Sequence, residues 1–255
     1  MSFVRNLRLG HRALSTAAFP APLHFRASGG RVSAWHDIPL VEASAPAGVY
    51  NFVCEIPRGA RAKMEISTDD AHNPIIQDKT KAGAPRSYGL DSLVNYGALP
   101  QTYEDPAHKD TWTGLLGDGD PIDVCDISST PRPTGSVYSV KVIGALAMID
   151  DGEMDWKVLA VRTDDPLASL VNDVADAKAP DAVKRAMDEV RHWFRIYKTL
   201  EGKGENSFAF DGKWLDQATT IDIIKSTHKQ WKGIIDKRTG TRESLLRDFS
   251  SNAPF

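Results

Sequence analysis

Cysteine is scarce. Cys54 and Cys125 are the two in 255 residues, too few for a disulfide framework. Both lie in apolar, strand-like surroundings and read as buried, reduced thiols of a reducing compartment. No apolar run approaches the roughly 18 residues of a spanning helix, so no membrane crossing is expected. The chain has no G-x-x-x-x-G-K-[ST] phosphate loop, no H-E-x-x-H, no C-x-x-C pair and no G-x-S-x-G elbow, which sets aside the chemistries those motifs serve. An EF-hand starting at Asp118 fails, because Asp123 falls where glycine is needed and Ser129 where the bidentate glutamate belongs. Acid is missing altogether before Asp37. The first 36 residues carry Arg5, Arg8, Arg12, Arg26 and Arg31, and removing these five from the formal net charge of −3 leaves −8 on the rest. That balance argues against a nucleic-acid surface.

What is present is the composition of a globular protein, 41% hydrophobic and 25% charged, at a length that buries a core as one domain. On a helical projection Arg5, Arg8 and Arg12 share one side, with Phe3, Leu7 and Leu14 opposite. An Arg-rich, acid-free, amphipathic start reads as an organelle transit peptide over residues 1–30, mitochondrial rather than plastid because arginine dominates over serine; the alternative is a disordered basic tail. The folded domain is expected over residues 31–236, followed by a polar tail over 237–255.

Residues 117–126, Gly-Asp-Gly-Asp-Pro-Ile-Asp-Val-Cys-Asp, organise the rest. Asp118 and Asp120 project from one face of an extended strand, and Pro121 breaks the alternation so that Asp123 swings back to them. Three carboxylates so gathered raise their own pKa values unless a cation joins them, and oxygen-only ligands select a hard ion such as Mg²⁺ or Mn²⁺. Around this centre the pattern is β: strands at 49–56, 62–66, 137–149 and 154–161, the last two joined by an Asp-Gly turn. Lys63 and Glu65 share one strand face, as do Asp155 and Lys157. Asp150 and Asp155 bracket the hairpin end. Residues 67–95 are turn-rich and basic, suited to a polyanion. Two helices follow, one opened by Pro180 with a stripe through Val183, Met187, Val190, Phe194 and Tyr197, the other with Ile221, Ile224, His228, Trp231 and Ile235 along one side. His228 reads as a packed histidine. Carboxylates, lysines, arginine and tyrosines without a histidine or cysteine nucleophile suit metal-activated water attacking phosphorus.

The run Asp118-Gly119-Asp120-Pro121-Ile122-Asp123 resembles the D-x-D-P-x-D signature of the soluble family I inorganic pyrophosphatases in their eukaryotic form. Trp35-His36-Asp37-Ile38-Pro39-Leu40, Glu55-Ile56-Pro57-Arg58, Asn73-Pro74-Ile75-Ile76-Gln77-Asp78, Asn95-Tyr96-Gly97, Asp155-Trp156-Lys157 and Trp193-Phe194-Arg195-Ile196-Tyr197-Lys198 fit as well. The likeness spans roughly Trp35 to Trp231.

The resemblance implies a mainly β (α+β) fold: an OB-like five-stranded β-barrel with additional strands and two C-terminal α-helices. It implies Mg²⁺-dependent hydrolysis of pyrophosphate to two orthophosphates, with several ions per site and Mn²⁺ as a substitute. In that scheme Asp118, Asp123 and Asp155 hold one ion, Asp123 helps with a second, and Asp150 with Asp155 holds a further one. Glu65 and Glu55 complete the acidic wall. Asp120, also counted among the metal-site acids, resembles the general base. Lys63, Arg86, Tyr96, Lys157, Tyr197 and Lys198 carry over as phosphate contacts. The loop over 87–94 is shorter than in animal and fungal members, with Ser92 where they carry a tyrosine, and this leaves Arg86 the least secure of the six. Tyr103 stands for a common tryptophan, Gly119 for a frequent asparagine and Asp126 for a frequent glutamate. The related enzymes include monomers and homodimers. Two alternatives stay open: a phosphohydrolase for another phosphoanhydride, and a metal-binding OB module without catalysis.

Overall fold

In the computed structural model, which describes residues 8–9, 20–28 and 30–240, β1 (Arg8–Leu9), β2 (Phe25–Ala27) and β3 (Gly30–Val32) form a small antiparallel sheet. β4 (Val49–Ile56) enters the main sheet, and β5 (Met64–Ile66) pairs with β6 (Ile75–Gln77) as a separate hairpin. The main sheet continues with β7 (Asn95–Ala98), β8 (Asp123–Asp126), β9 (Val137–Asp150) and β10 (Glu153–Arg162), and β11 (Ser207–Phe208) adds to the edge of β9. β4 pairs antiparallel with β7 and β9, β7 with β8, and β9 with β10, whereas β8 and β10 run parallel. Because β10 bonds both β8 and β9, the five strands close into an OB-like barrel.

Period-2 alternation decides which side chains see which surroundings. Trp156, Val158 and Ala160 of β10 pack with Phe52, Val124, Val140 and Val142, and Ile223 and Ile224 of the second helix join them. Leu159 and Val161 point the other way, to Cys125, Ile143 and Met148 and the first helix. Asp155 and Lys157 share that second face, which positions the site beside the first helix. The β4–β7 register shifts between Cys54 and Ile56, a bulge at Glu55; bulges re-aim side chains next to functional sites. Gly97 lets the strands meet there, since a Cβ at that position would come 2.0 Å from the Val53 carbonyl oxygen.

α1 (Asp181–Ile196) starts behind Pro180 and buries Val183, Val190, Trp193 and Phe194. α2 (Gln217–Gly240) continues past residue 237, where the polar tail was expected to begin. Its packed face keeps Ile221, Ile224 and Trp231 of the expected stripe and is wider than expected, taking in Ile223, Thr227 and Ile234 as well. His228 is packed, its Nδ1 2.6 Å from the Gln101 carbonyl and its ring stacked on Trp231. Among the described residues no helix is long and apolar enough to cross a membrane, and Cys54 and Cys125 are buried and unbridged.

Two expectations change. Residues 118–120 form a bend, not part of a strand: Gly119 has φ +91°, and the Asp120 amide donates to Asp118 Oδ1 at 3.0 Å. The packed fold also reaches N-terminal to Arg31. Leu23 exchanges backbone hydrogen bonds of 2.8 and 3.0 Å with Ile75, and Phe25 is 0% exposed among Trp35, Ile38, Val53, Ile66 and Ile75. Apart from β1 and residues 20–28 and 30, the stretch read as a transit peptide lies outside the described residues, as do residues 241–255.

Candidate active site

The parallel ladder of β10 on β8 sets Lys157 against Asp123. Lys157, 2% exposed in its side chain, lies between two acids, with Nζ 2.5 Å from Asp123 Oδ2 and 2.5 Å from Asp155 Oδ1. It also donates to the Tyr96 hydroxyl at 3.0 Å, and Tyr96 in turn donates to Asp123. Burial disfavours its charge, but Asp123 and Asp155 outweigh that and push the Lys157 pKa well above the usual lysine range. Burial and the Asp123 charge push the Tyr96 phenol up, so Tyr96 stays a neutral donor.

The bend over 117–122 delivers two more acids. Asp118 is pushed up to about 7 by burial and then by Asp120 and Asp123. Asp120, although exposed on the open side, is pushed up to about 7 by partial desolvation, then Asp123 and Glu65. The β4 bulge turns Glu55 inward, where Oε1 accepts from the Ile66 amide at 2.7 Å; burial, then Asp123, raises its pKa well above normal. Glu55, Lys63, Glu65, Tyr96, Asp120 and Asp123 line one cleft of about 60 Å³.

Two further walls adjoin it. Lys63 bridges Glu65 Oε2 at 2.6 Å and Asp78 Oδ2 at 2.9 Å. Arg86 donates to the same Asp78 oxygen at 3.0 Å and to Glu201 Oε2 at 3.0 Å. At the end of the β9–β10 hairpin, Asp150 accepts from Lys198 and, at 3.3 Å, from the Tyr197 hydroxyl. Tyr197 stacks flat on Trp193, with ring centroids 5.0 Å apart, and feels the charges of Lys157, Asp150 and Asp155. Of the thirteen residues singled out in the sequence, Glu55, Lys63, Glu65, Tyr96, Asp120 and Asp123 line that cleft, Lys157 and Asp155 join it through Asp123, Arg86 joins it through Asp78 and Lys63, and Asp150, Tyr197 and Lys198 form a cluster of their own at the hairpin end. Asp126 does not join them: it is buried on the other face of β8, accepting from Asn95, Tyr138, Ser128 and Arg162.

Among the described residues, the acidic triad whose oxygens converge differs from the one the resemblance implies. Glu104, Asp118 and Asp155 each place an oxygen within 4.8 Å of the others, while Asp123 is engaged with Tyr96 and Lys157. Burial, then Asp118 and Asp155, raises the Glu104 pKa well above normal. Sequence reasoning passed over Glu104, and its only trace was a position in the extended run leading to the acidic stretch. It also missed Asp78 and Glu201, which hold the basic side chains, and Tyr88. The loop before β7 places Tyr88 on the same cleft, edge-on to Trp193 and Tyr197. No pattern flags a residue whose place depends on a loop's path.

Oxygen-only donors in such number fit hard divalent cations, and the orphaned, buried Glu104 Oε2 is an acceptor for which a cation would provide a partner. A model of the inorganic pyrophosphatase family matches residues 52–232. The chain is 44% identical over 250 residues to the human inorganic pyrophosphatase, covering 93% of this chain and 84% of that one. It is 44% identical over 211 residues to the chloroplastic soluble inorganic pyrophosphatase 1 of Chlamydomonas reinhardtii, covering 82% of this chain and 72% of that one. An N-terminally truncated vacuolar soluble pyrophosphatase of Trypanosoma cruzi, solved in complex with PPi, superposes with a TM-score of 0.80 at 39% identity, covering 90% of this chain and 92% of that one.

Proposed function

The chain belongs to the inorganic pyrophosphatase family, and from that premise we propose that its cleft hydrolyses inorganic pyrophosphate to two orthophosphates with Mg²⁺. The observation that carries this reading is a small cleft lined by Glu55, Glu65, Asp120 and Asp123 together with Lys63 and Tyr96, with Lys157 bridging Asp123 and Asp155 behind it. Charged groups dominate its lining and, among the described residues, no pair of aromatic faces is set to stack a base, which favours an inorganic anion over a nucleotide.

Asp118, Asp123, Asp150 and Asp155 hold the cations, with Glu65 and Glu55 completing the acidic wall. Bound dications supply positive charge to phosphoryl oxygens and acidify the water held among them. Asp120 takes the proton of the attacking water; a carboxyl pushed up to about 7 in the cation-free cleft matches that task near neutral pH. Lys63, Arg86, Lys157 and Lys198 neutralise the charge that gathers on the phosphate leaving group, which is the main demand of phosphoryl transfer. Tyr96 and Tyr197, the first kept neutral by its surroundings, donate hydrogen bonds to the same oxygens. The test is phosphate release from pyrophosphate, ATP and tripolyphosphate with Mg²⁺ and then with chelator. Pyrophosphate should be cleaved far faster than the other two, and only with metal. Equal rates on ATP, or rates untouched by chelator, refute the reading.

The acid-free, Arg-rich start supports import into an organelle, which we assign to the mitochondrion. A tagged full-length protein found in the plastid or the cytosol would overturn that assignment.

A further inference from the structure

We propose that Glu104 is an additional cation ligand of the cleft, acting with Asp118 and Asp155, and that it also sets the spacing between them. The inference rests on the metal-dependent reading above. Glu104 is 3% exposed, and its two carboxylate oxygens have different fates. Oε1 accepts from the Trp156 amide at 3.1 Å, next to Asp155. Oε2 is buried without a hydrogen-bond partner, in a carboxylate that stands within reach of the Asp118 and Asp155 oxygens. A buried acceptor left unmade is unfavourable, and a buried carboxylate among two others more so. The main chain of Glu104 grips the acidic bend as well: its N–H donates to the Asp120 carbonyl at 2.9 Å, and its carbonyl accepts from the Gly119 N–H at 2.8 Å. One residue thus ties the bend that carries Asp118 to the strand that carries Asp155. Three oxygens within 4.8 Å of one another need draw in by only about 1–2 Å to reach the roughly 3.0–3.6 Å spacing of three ligands bound at about 2.1 Å to one dication. Packing alone would be served equally well by an amide, whose second atom can donate to a neighbouring carboxylate. The orphaned oxygen is explained by an ion.

The test is E104Q, which keeps the side-chain volume and the acceptor for Trp156. Mn²⁺ titrated calorimetrically into the substrate-free protein should bind about 10- to 100-fold more weakly than to wild type, the range for losing a metal-site partner. Melting in chelator should be unchanged or higher, because an ionisable carboxyl has left a crowded acidic cluster. A residue that only anchors the strands would lower the melting temperature in chelator and leave Mn²⁺ affinity alone, and that result overturns the proposal. Should E104Q fail to fold, E104D decides by the same criterion: weaker Mn²⁺ binding supports the assignment and unchanged binding overturns it. Wild-type protein that binds no Mn²⁺ would sink the metal-dependent reading itself, a distinguishable failure.

Discussion

Without cations the acidic cleft should oppose folding, and D118N should reveal by how much. Burial and the neighbouring Asp120 and Asp123 push Asp118 up to about 7, from about 3.9 in an unfolded chain. Below about pH 4 the carboxyl is protonated in both states and costs nothing. As pH rises through about 7 the unfolded chain releases its proton readily and the native one reluctantly, so native stability falls over that window. About three pKa units at 1.36 kcal/mol each set a ceiling of about 4 kcal/mol. Asp118 is partly open to solvent, and screening brings a working figure to about 2 kcal/mol. The asparagine keeps the oxygen that accepts from the Asp120 amide and removes the charge. In chelator at pH 8, D118N should melt about 4–8 °C above wild type, at about 2–4 °C per kcal/mol for a chain of this size. At pH 4 the two should coincide. With saturating Mg²⁺ the order should reverse, because wild type gains binding free energy that the variant forfeits. Calorimetric melts across this range decide. A D118N protein less stable than wild type at pH 8 in chelator, or a difference independent of pH, refutes the electrostatic account.

Asp120→Asn should lower kcat by about 10² to 10⁴, the range for losing a general base. Near-wild-type turnover with Mg²⁺ would mean that another group takes the proton. Phe25→Ala should cost about 3–5 kcal/mol in urea unfolding, because the ring is fully buried. A chain starting at residue 20 should then match full-length stability, while one starting at residue 31 should show a loss of similar size to Phe25→Ala. Equal stability of those two truncations would show that the N-terminal sheet adds nothing to the core.

Much of the barrel could be read from the chain because its signals were local. β4 was bounded by Pro57 and filled with β-branched and aromatic residues, and the Asp151-Gly152 turn dictated the β9–β10 hairpin. Alternation along β10 correctly set Asp155 and Lys157 on one face and Trp156 and Val158 on the other. Legibility failed where an outcome depends on contacts distant in sequence. An alternation rule cannot see that a positive φ at Gly119 turns 118–120 into a bend, nor that Phe25 finds a pocket made by Trp35, Val53 and Ile75. The α2 face came out wider than the single stripe read from the sequence because the helix serves two clusters, the barrel at Ile221, Ile223 and Ile224 and the N-terminal sheet at Trp231 and Ile234, so no single period describes it. Glu104 was invisible for the same reason: its partners are a bend 13 to 16 residues on and a strand some fifty residues away.

The disposition of charge in the cleft ties cation binding to anion binding. Each basic side chain proposed for phosphate is already held by a carboxylate: Lys157 by Asp123 and Asp155, Lys198 by Asp150, Lys63 by Glu65 and Asp78, Arg86 by Asp78 and Glu201. Stripped of such partners, buried acids and bases would each bear the full cost of desolvation. On the proposed reading, a dication held by Asp123, Asp150 or Asp155 would take over that carboxylate and loosen its hold on the ammonium beside it, 2.5 Å away in the case of Lys157. With both its acids engaged, Lys157 would have an incoming phosphate as its counter-ion, whereas Lys198 would keep Asp151 at 3.4 Å. Anion affinity should therefore rise with cation occupancy, and by thermodynamic reciprocity the cations should bind more tightly when the diphosphate is present. Lys63 and Arg86 differ, since Asp78 and Glu201 are not among the proposed cation ligands. Their release must come from the phosphate itself, which makes the Asp78–Glu201 side of the cleft the place where substrate competes directly with the protein's own acids.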